Sequence, residues 1–267
     1  ASAFDVEGGI VVTLGGDFSG SLGSSGQRLA KQGAGKLVLG GTNTTTTNSV
    51  AMGWTLEEGA LGLGNDNAIH STSTASLVVA NNANTKTLTA ENGARTIANP
   101  IVLAGSVIVD GSNDLELSGT TSGAGSITKT GSGTLTYSGT VGHASTTVNA
   151  GRLIIAAGTA AASVTMNAGV IGGDGTLTSA LAAGFGVTVA PGTLTLDGAN
   201  YSQDGGTLEI EFESDSVFDV LALINGGDAT LTSGTLWLDA LGDYQPTFGE
   251  TFDVLTADTI TGMLTLG

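Results

Sequence analysis

The sequence predicts an all-β protein, a parallel β-solenoid in which short strands stack into successive rungs. A motif occurs twice, as KQGAGKLVLGGT from Lys31 and as KTGSGTLTYSGT from Lys129, and such a repeat is typical of chains built from stacked copies of one unit. Of the 267 residues 44 are glycine, 3 are proline, 40% are hydrophobic and only 4% are aromatic. Between the two motifs, short apolar/polar alternations are separated by turns rich in Gly, Ser and Asn.

This composition is too apolar for a disordered chain and too rich in glycine for an ordinary globular core. Glycine permits positive φ at tight corners, and small branched side chains stack well inside a narrow solenoid. At roughly 20 to 25 residues per rung we expect about 11 to 13 rungs, which would form a rod about 50 to 60 Å long. Helix signals are almost absent.

Three regions are expected along the chain. Residues 1–30 form an N-terminal strand and capping segment, residues 31–197 the solenoid repeats, and residues 198–267 an acidic C-terminal end or cap. The first region contains an apolar run within AFDVEGGIVVTL, which we predict as a possible strand between subunits because the open end of a solenoid templates further strands. The predicted interface residues of this strand are Phe4, Val6, Ile10, Val12 and Leu14.

Each copy of the motif is followed by a strand, a glycine turn and a second strand. The second copy continues into TTVNAGRLII (146–155), and the first into the looser counterpart TLEEGALGLG (55–64). In the acidic end, three glutamates at 209, 211 and 213 alternate with apolar residues at 208, 210 and 212. This alternation predicts a strand with three carboxylates on one face and three apolar groups on the other.

The repeat and the acidic end together resemble a known family. Residues 129–156, with their partner at Lys31, look like the autotransporter-associated β-strand repeat. The segment 201–262 resembles the end of such passengers in its YSQDGGTLEI, FDVL, GTLWL, PTFGETFDVLTA and ITG stretches. The resemblance implies a right-handed parallel β-helix, secretion from a bacterium and a place at the cell surface as adhesin, coat or fibre. It implies no chemistry.

The charge is distributed unevenly along the chain. All seven basic residues lie in the first 152 positions beside 10 acidic ones, whereas residues 153–267 carry 14 acidic residues and no Lys or Arg. A polyanion of this kind repels nucleic acid and anionic membrane surfaces, so neither is an expected partner. Divalent cations are more favourable partners for so acidic a chain. The sequence requires no cofactor. Glu213, Asp215 and Asp219 are candidate ligands of a Ca²⁺ ion.

Signals for catalysis are weak. A β-helix that acts on polysaccharides needs clustered carboxylates and a nearby base, and the best local candidates are Asp110, Asp114 and Glu116. A solvated turn and strand edge is the preferred interpretation of these three residues. His70 and His143 stand alone in turns rich in Ser and Thr, without the neighbours of a triad or a metal cluster. We therefore expect no enzyme activity.

Two features bear on location. The chain begins ASAFDVEGG, which has neither a positive nor an apolar leader region, so we expect any signal peptide to have been removed. No run approaches the roughly 18 apolar residues of a membrane span, so direct membrane insertion is not expected.

Three functions remain open, and the polysaccharide-active enzyme considered above is the least favoured of them. The preferred one is a secreted homo-oligomer that adds strands head to tail to make a fibre or coat, with the charge asymmetry favouring one polarity. The alternative is a monomeric adhesin or spacer that binds glycans or other surface proteins, for which Trp54 and Trp237 offer aromatic surfaces unless they face the core.

Overall fold

The structure, a computed structural model, describes residues 2–20, 28–47 and 50–267. Residues 21–27, which belong to the predicted N-terminal segment, and residues 48 and 49 lie outside this description. Every regular element in the described ranges is a β-strand, which confirms the all-β prediction. Within those ranges no helix has the length and apolarity that a membrane crossing requires.

The strands are short, as expected for rungs that turn at glycine corners. In chain order they are β1 (Ser2–Asp5), β2 (Val11–Leu14), β3 (Leu29–Gln32), β4 (Lys36–Leu39), β5 (Thr46–Thr47), β6 (Val50–Ala51), β7 (Trp54–Leu56), β8 (Gly59–Leu63), β9 (Leu77–Val79), β10 (Lys86–Ala90), β11 (Arg95–Ile97), β12 (Ile101–Leu103), β13 (Val107–Asp110), β14 (Leu115–Leu117), β15 (Thr121–Lys129), β16 (Thr134–Tyr137), β17 (Val141–Val148), β18 (Arg152–Ile155), β19 (Ala160–Ala161), β20 (Val164–Met166), β21 (Gly169–Gly172), β22 (Thr176–Leu177), β23 (Leu181–Gly184), β24 (Val187–Ala190), β25 (Thr195–Asp197), β26 (Tyr201–Phe212), β27 (Leu221–Ile224), β28 (Asp228–Ala240), β29 (Leu255–Thr256), β30 (Thr259–Gly262) and β31 (Thr265–Leu266).

The chain divides into two compact units, Ala1–Ser145 and Thr146–Gly267. In the first unit, β1, β3, β7, β9, β12 and β15 pair in that order, and β2, β4, β8, β10, β13 and β15 form a second row. Strands β11, β14 and β16 make a third row. All pairs in these rows are parallel, so the β-helix-like parallel fold is confirmed. Strands β5 and β6 form a short antiparallel pair.

The second unit follows the same plan. Strands β18, β21, β24, β26 and β28 pair in order, and both β30 and β31 pair with β28. A second row contains β19, β22, β25, β27 and β29. The predicted alternation is present along β26, where Leu208, Ile210 and Phe212 are buried, Glu209 is half-buried and Glu211 is exposed. The third glutamate, Glu213, is exposed and lies just beyond the end of the strand.

Apolar side chains of successive rungs stack into columns, because parallel strands in register place the same face inward at every level. One column of the first unit runs through Leu37, Leu61, Leu88 and Val109, each at most 3% exposed. The corresponding column of the second unit runs through Leu153, Ile171, Val189 and Leu208, each at most 1% exposed.

The glycines of the repeated motif are required where the turns of neighbouring rungs meet. Gly33 has φ of +72°, and a Cβ there would lie 2.4 Å from the carbonyl oxygen of Val6 in the preceding rung. Gly131 has φ of +53°, and its Cβ would lie 2.3 Å from the carbonyl oxygen of Gly111. Both the left-handed backbone and the close approach exclude a side chain, which explains the Lys-x-Gly-x-Gly pattern.

Candidate functional site

The first rung, formed by β1 and β2, has an uncovered side. Among the residues that the structure describes, β1 pairs with β3 alone and β2 with β4 alone, so each has one edge without a partner strand. Val12 and Leu14 are in register with Leu37 and Leu39 of the next rung. Those two leucines are 0% exposed, whereas Val12 and Leu14 are only half-buried. The difference is apolar surface that a further rung would cover.

The last rung, formed by β30 and β31 in the second unit, is similar: among the described strands both pair with β28 alone, so one edge of each is unpaired. Its core column continues from Leu208 (1% exposed) to the half-buried Leu236 and ends at Leu266, which is 67% exposed. Ile260 lies in register with Ala229 and is 47% exposed, against 1% for its neighbour. Met263, between these two positions of the last rung, is 80% exposed.

The five predicted interface residues divide into two groups. Phe4 and Val6 pack within the first unit. The ring of Phe4 lies 5.6 Å from that of Trp54, and Val6 is buried. Ile10 is 51% exposed, and Val12 and Leu14 are half-buried at the open edge. Ile10, Val12 and Leu14 therefore keep apolar surface accessible on and beside β2.

The two open ends carry charge of the same sign. The first rung contains Asp5, Glu7 and Asp17, and the segment 251–267 contains Asp253 and Asp258. Neither segment contains Lys or Arg. That the charge asymmetry of the whole chain favours one polarity of assembly stays a prediction.

Lysines of the first unit are buried and bind the carbonyl groups of turns. Lys31, which is 0% exposed, donates from Nζ to the carbonyl oxygens of Gln32 (2.7 Å), Gly33 (2.7 Å) and Glu58 (3.1 Å). Glu58 belongs to the turn of the next rung, so this ammonium group connects two stacked turns. Burial lowers the pKa of Lys31, and the negative charges of Glu58 and Asp5 act in the other direction, raising it.

The lysine of the second motif copy has the same environment. Lys129 is 2% exposed and donates to the carbonyl oxygens of Thr130 and, at 2.7 Å, Gly131. Burial lowers the pKa of Lys129, and the negative charges of Asp110 and Asp114 act in the other direction, raising it. Lysine is almost never fully buried unless it is paired, so the motif lysines are structural clamps of the turns. Sequence reasoning recognised the turn but not this role.

The predicted catalytic carboxylates are hydrogen-bonded to neighbouring rungs. Asp110 accepts from Thr130 Oγ1 at 2.9 Å, and Asp114 accepts from the backbone N–H of Thr134 at 2.7 Å. Glu116 accepts hydroxyl protons from Thr96 and Ser138. The nearby base, Lys129, is buried in its turn. All three carboxylates therefore connect neighbouring rungs.

Both histidines are buried hydrogen-bonding groups. His70 accepts the backbone N–H of Thr72 at Nδ1 (2.9 Å), so its Nε2–H donates to the carbonyl oxygen of Thr45 at 2.9 Å. The Nδ1 atom of His143 lies 2.9 Å from Thr121 Oγ1, within hydrogen-bonding distance. Burial lowers the pKa of His143 to about 4, so the ring is neutral near pH 7.

The predicted calcium ligands lie in and beside the loop after β26. Glu213 and Asp215 are exposed, while Asp219 is half-buried and accepts the backbone N–H of Glu211 at 3.2 Å. Partial burial raises the pKa of Asp219, and the charges of Glu211 and Asp174 add to the shift. Over the ranges that the structure describes, no three His, Cys, Asp or Glu side chains are grouped as a metal site requires. The calcium site stays a prediction without a geometric basis.

A shallow groove of about 180 Å³ lies beside this loop and is lined by acidic side chains together with Arg152. Its carboxylates come from Asp174, Glu209, Glu211 and Asp219. Asp174 is engaged by the neighbouring rung, because it accepts both the N–H (2.9 Å) and the hydroxyl (3.0 Å) of Thr193. This groove is an anionic surface of the second unit.

The two tryptophans have different environments. Trp54 is completely buried, and its ring packs against Phe4 and, edge-on at 6.2 Å, against Phe18. It is therefore a core residue. Trp237 on β28 is 49% exposed and keeps part of its ring available to solvent.

No protein-family model matches the chain, and no curated protein sequence matches it significantly.

Proposed function

We propose that this chain is a non-catalytic structural protein of the bacterial surface, which assembles end to end through its terminal rungs into a fibre or coat. The observation that carries the proposal is that apolar core columns run to strand edges that no other described strand covers, at β1 and β2 and at β30 and β31. An unpaired edge is a template for another strand, and adding a rung buries apolar surface at about 25 cal/mol per Å².

The proposal includes finer features of the fold. We assign right-handed winding to the solenoid, because crossover connections between parallel strands are right-handed in about 98% of cases. Residues 198–267 form its acidic end. The resemblance to autotransporter-associated repeat proteins supports the extracellular location. The buried histidines and the rung-to-rung bonds of Asp110, Asp114 and Glu116 support a non-catalytic role.

Uncharged polar substitutions at the ends test this function. Leu14→Asn and Leu266→Asn each remove an apolar side chain from an open end of the core, and Thr13→Asn and Thr265→Asn change exposed neighbours on the same strands. Sedimentation velocity over a range of concentrations should show large species for the parent and the threonine variants. The leucine variants should need roughly tenfold more protein to assemble, since about 1.4 kcal/mol is a tenfold change in affinity. A parent chain that stays monomeric at every concentration contradicts the proposal.

A monomeric adhesin is the second candidate, and exposed aromatic rings favour it. Phe248 is fully exposed, Phe185 is 83% exposed and Trp237 is 49% exposed. Aromatic faces of this kind stack on apolar faces of sugars or on partner proteins. A glycan-array screen of the monomer tests this candidate, which requires selective binding that is lost in the Phe185→Ser or Trp237→Ser variant.

A further inference from the structure

The acidic groove of the second unit continues into a second concavity beside it. The two measure about 180 Å³ and about 240 Å³, and both are lined by Asp174, Gly192, Glu211 and Asp219. They therefore form one trough, which runs from the outer face of β26 to the loop 213–220. We call this trough the β26 groove.

The β26 groove carries far more negative than positive charge. Its carboxylates come from Asp174, Glu209, Glu211, Glu213 and Asp219, and Arg152 is the one basic residue in its lining. Within the described ranges, the ion pairs join Lys36 to Glu91 and Arg95 to Asp66, both in the first unit. The negative charge of the groove is therefore not neutralised by ion pairs within the chain.

One wall of the groove is apolar and held in place. This wall comes from Val217, which is 53% exposed, and from Phe218. The ring centroid of Phe218 lies 5.9 Å from that of Phe212 and 5.2 Å from that of Phe252. The backbone N–H of Glu213 donates to the carbonyl oxygen of Val217 at 2.9 Å. Because these contacts already order the wall, an occupant loses little affinity to ordering it.

The spacing of the carboxylates fits an extended cationic chain. Glu209 and Glu211 lie two residues apart on the outer face of β26, about 6.6 to 6.8 Å along the strand. Alternate side chains of an extended segment repeat at the same distance. The long apolar stems of lysine and arginine can pack against Val217 while their charged ends reach the carboxylates.

A bound calcium ion fits this groove less well. Calcium takes several oxygen ligands that converge on one point. Over the part of the chain that the structure describes, no three His, Cys, Asp or Glu side chains are grouped in that way. Carboxylates spread along a trough with an apolar wall suit several separate cationic groups on an organic chain.

A second copy of this chain is not the occupant, because its own basic side chains are already engaged. The six basic side chains of the first unit each bond to a group of that unit; they are Arg28, Lys31, Lys36, Lys86, Arg95 and Lys129. The seventh basic residue, Arg152, lines the groove itself. The complementary charge must come from another molecule.

We infer that the β26 groove binds an extended basic segment of a partner protein, with lysine or arginine at alternate positions facing Glu209 and Glu211. The binding surface is formed by the second unit alone. The inference goes beyond the proposed function, because a chain in a fibre and a chain on its own offer the same groove.

Fluorescence anisotropy of the whole chain with a labelled peptide of alternating arginine and serine tests this inference. A peptide of the same composition with its arginines consecutive, and one with citrulline in place of arginine, are the reference probes. Glu209→Gln combined with Glu211→Gln removes two charges from the groove. Asp228→Asn combined with Asp258→Asn is the matched control, because it removes two exposed charges of the second unit outside the groove lining.

The alternating peptide should bind more tightly than either reference peptide. The glutamate pair of substitutions should weaken its binding roughly tenfold, and the control pair by less than about twofold. Val217→Ser leaves the charge unchanged and should weaken binding about threefold, because apolar contact with the arginine stems is lost. Arg152→Gln removes the cation from the groove and should strengthen binding.

Several outcomes would overturn the inference. Equal weakening by the glutamate pair and the control pair would show a general attraction to the net charge of −17. Equal binding of the alternating and citrulline peptides, or no binding by the parent, would also reject it. If the glutamate pair is misfolded by circular dichroism, unchanged affinity in Val217→Ser and Arg152→Gln decides against the groove. Each of these failures leaves the proposed assembly untouched, because sedimentation tests that separately.

Discussion

His143 shows how a buried polar side chain of this fold is used. Its ring packs 5.7 Å from that of Tyr137, and its Nδ1 atom lies within hydrogen-bonding distance of the Thr121 hydroxyl. A charged imidazolium is disfavoured there because burial removes its hydration. The neutral ring suits a structural role and does not suit a proton shuttle operating near pH 7.

A pH dependence of stability follows from this burial. The pKa of His143 is about 4 in the folded chain and about 6.5 when exposed, so above pH 6.5 the ring is neutral in both states. As the pH falls from 6.5 to 4, the unfolded chain takes up the proton first, and the free energy of unfolding decreases by roughly 2 to 3 kcal/mol.

Urea denaturation of the parent and of a His143→Asn variant at several pH values measures this term. The carboxylates titrate in both proteins, so their contribution cancels in the difference. The variant should lose less stability than the parent between pH 6.5 and pH 4. Equal losses in the two proteins would show that His143 is solvated in the folded chain.

At the scale of the elements, the lysine clamps hold the turns of the first unit. The ammonium of Lys31 bonds to its own turn and to the turn of the next rung, and Lys129 bonds to its own turn. Lys86 is also buried and donates to the carbonyl oxygen (3.0 Å) and Oδ1 (2.8 Å) of Asn82. In each of these three turns, a buried lysine ammonium group donates hydrogen bonds to the carbonyl groups that converge there.

Replacing a clamp should destabilise the first unit. Lys31→Met and Lys129→Met keep the apolar stem but remove the donors, and unsatisfied buried carbonyls cost about 1 to 3 kcal/mol. Lys36→Met is the matched control, because Lys36 is partly exposed and its partner is the carboxylate of Glu91 in a surface ion pair worth about 0 to 1 kcal/mol. Urea denaturation followed by circular dichroism measures the differences. Clamp variants as stable as the control would show that water satisfies these carbonyls equally well.

The sequence predicted the parallel strands well, since glycine corners and apolar alternation are local signals that each rung repeats. It did not predict the clamps, because lysine is ordinarily exposed and the identity of a turn does not reveal where an ammonium group lies. Nor did it distinguish Leu208 from Leu266. Both follow a threonine in a Thr-Leu pair, yet one is 1% and the other 67% exposed, because burial depends on the next rung.

At the scale of the whole molecule, two properties bear on the proposed assembly: the unpaired strand edges of each unit and the net charge of −17. Among the described strands, β1 and β2 in one unit and β30 and β31 in the other each have one edge without a partner strand. If copies assemble through these edges, apolar burial favours the contact, and the net negative charge of each copy opposes it.

Negative-stain electron microscopy of the purified chain over a range of salt and protein concentrations is the most direct test of end-to-end assembly. Assembly through the terminal rungs should give regular unbranched filaments, which lengthen as the protein concentration is raised. Isolated particles of single-chain size at every salt and protein concentration would contradict end-to-end assembly and favour the monomeric adhesin.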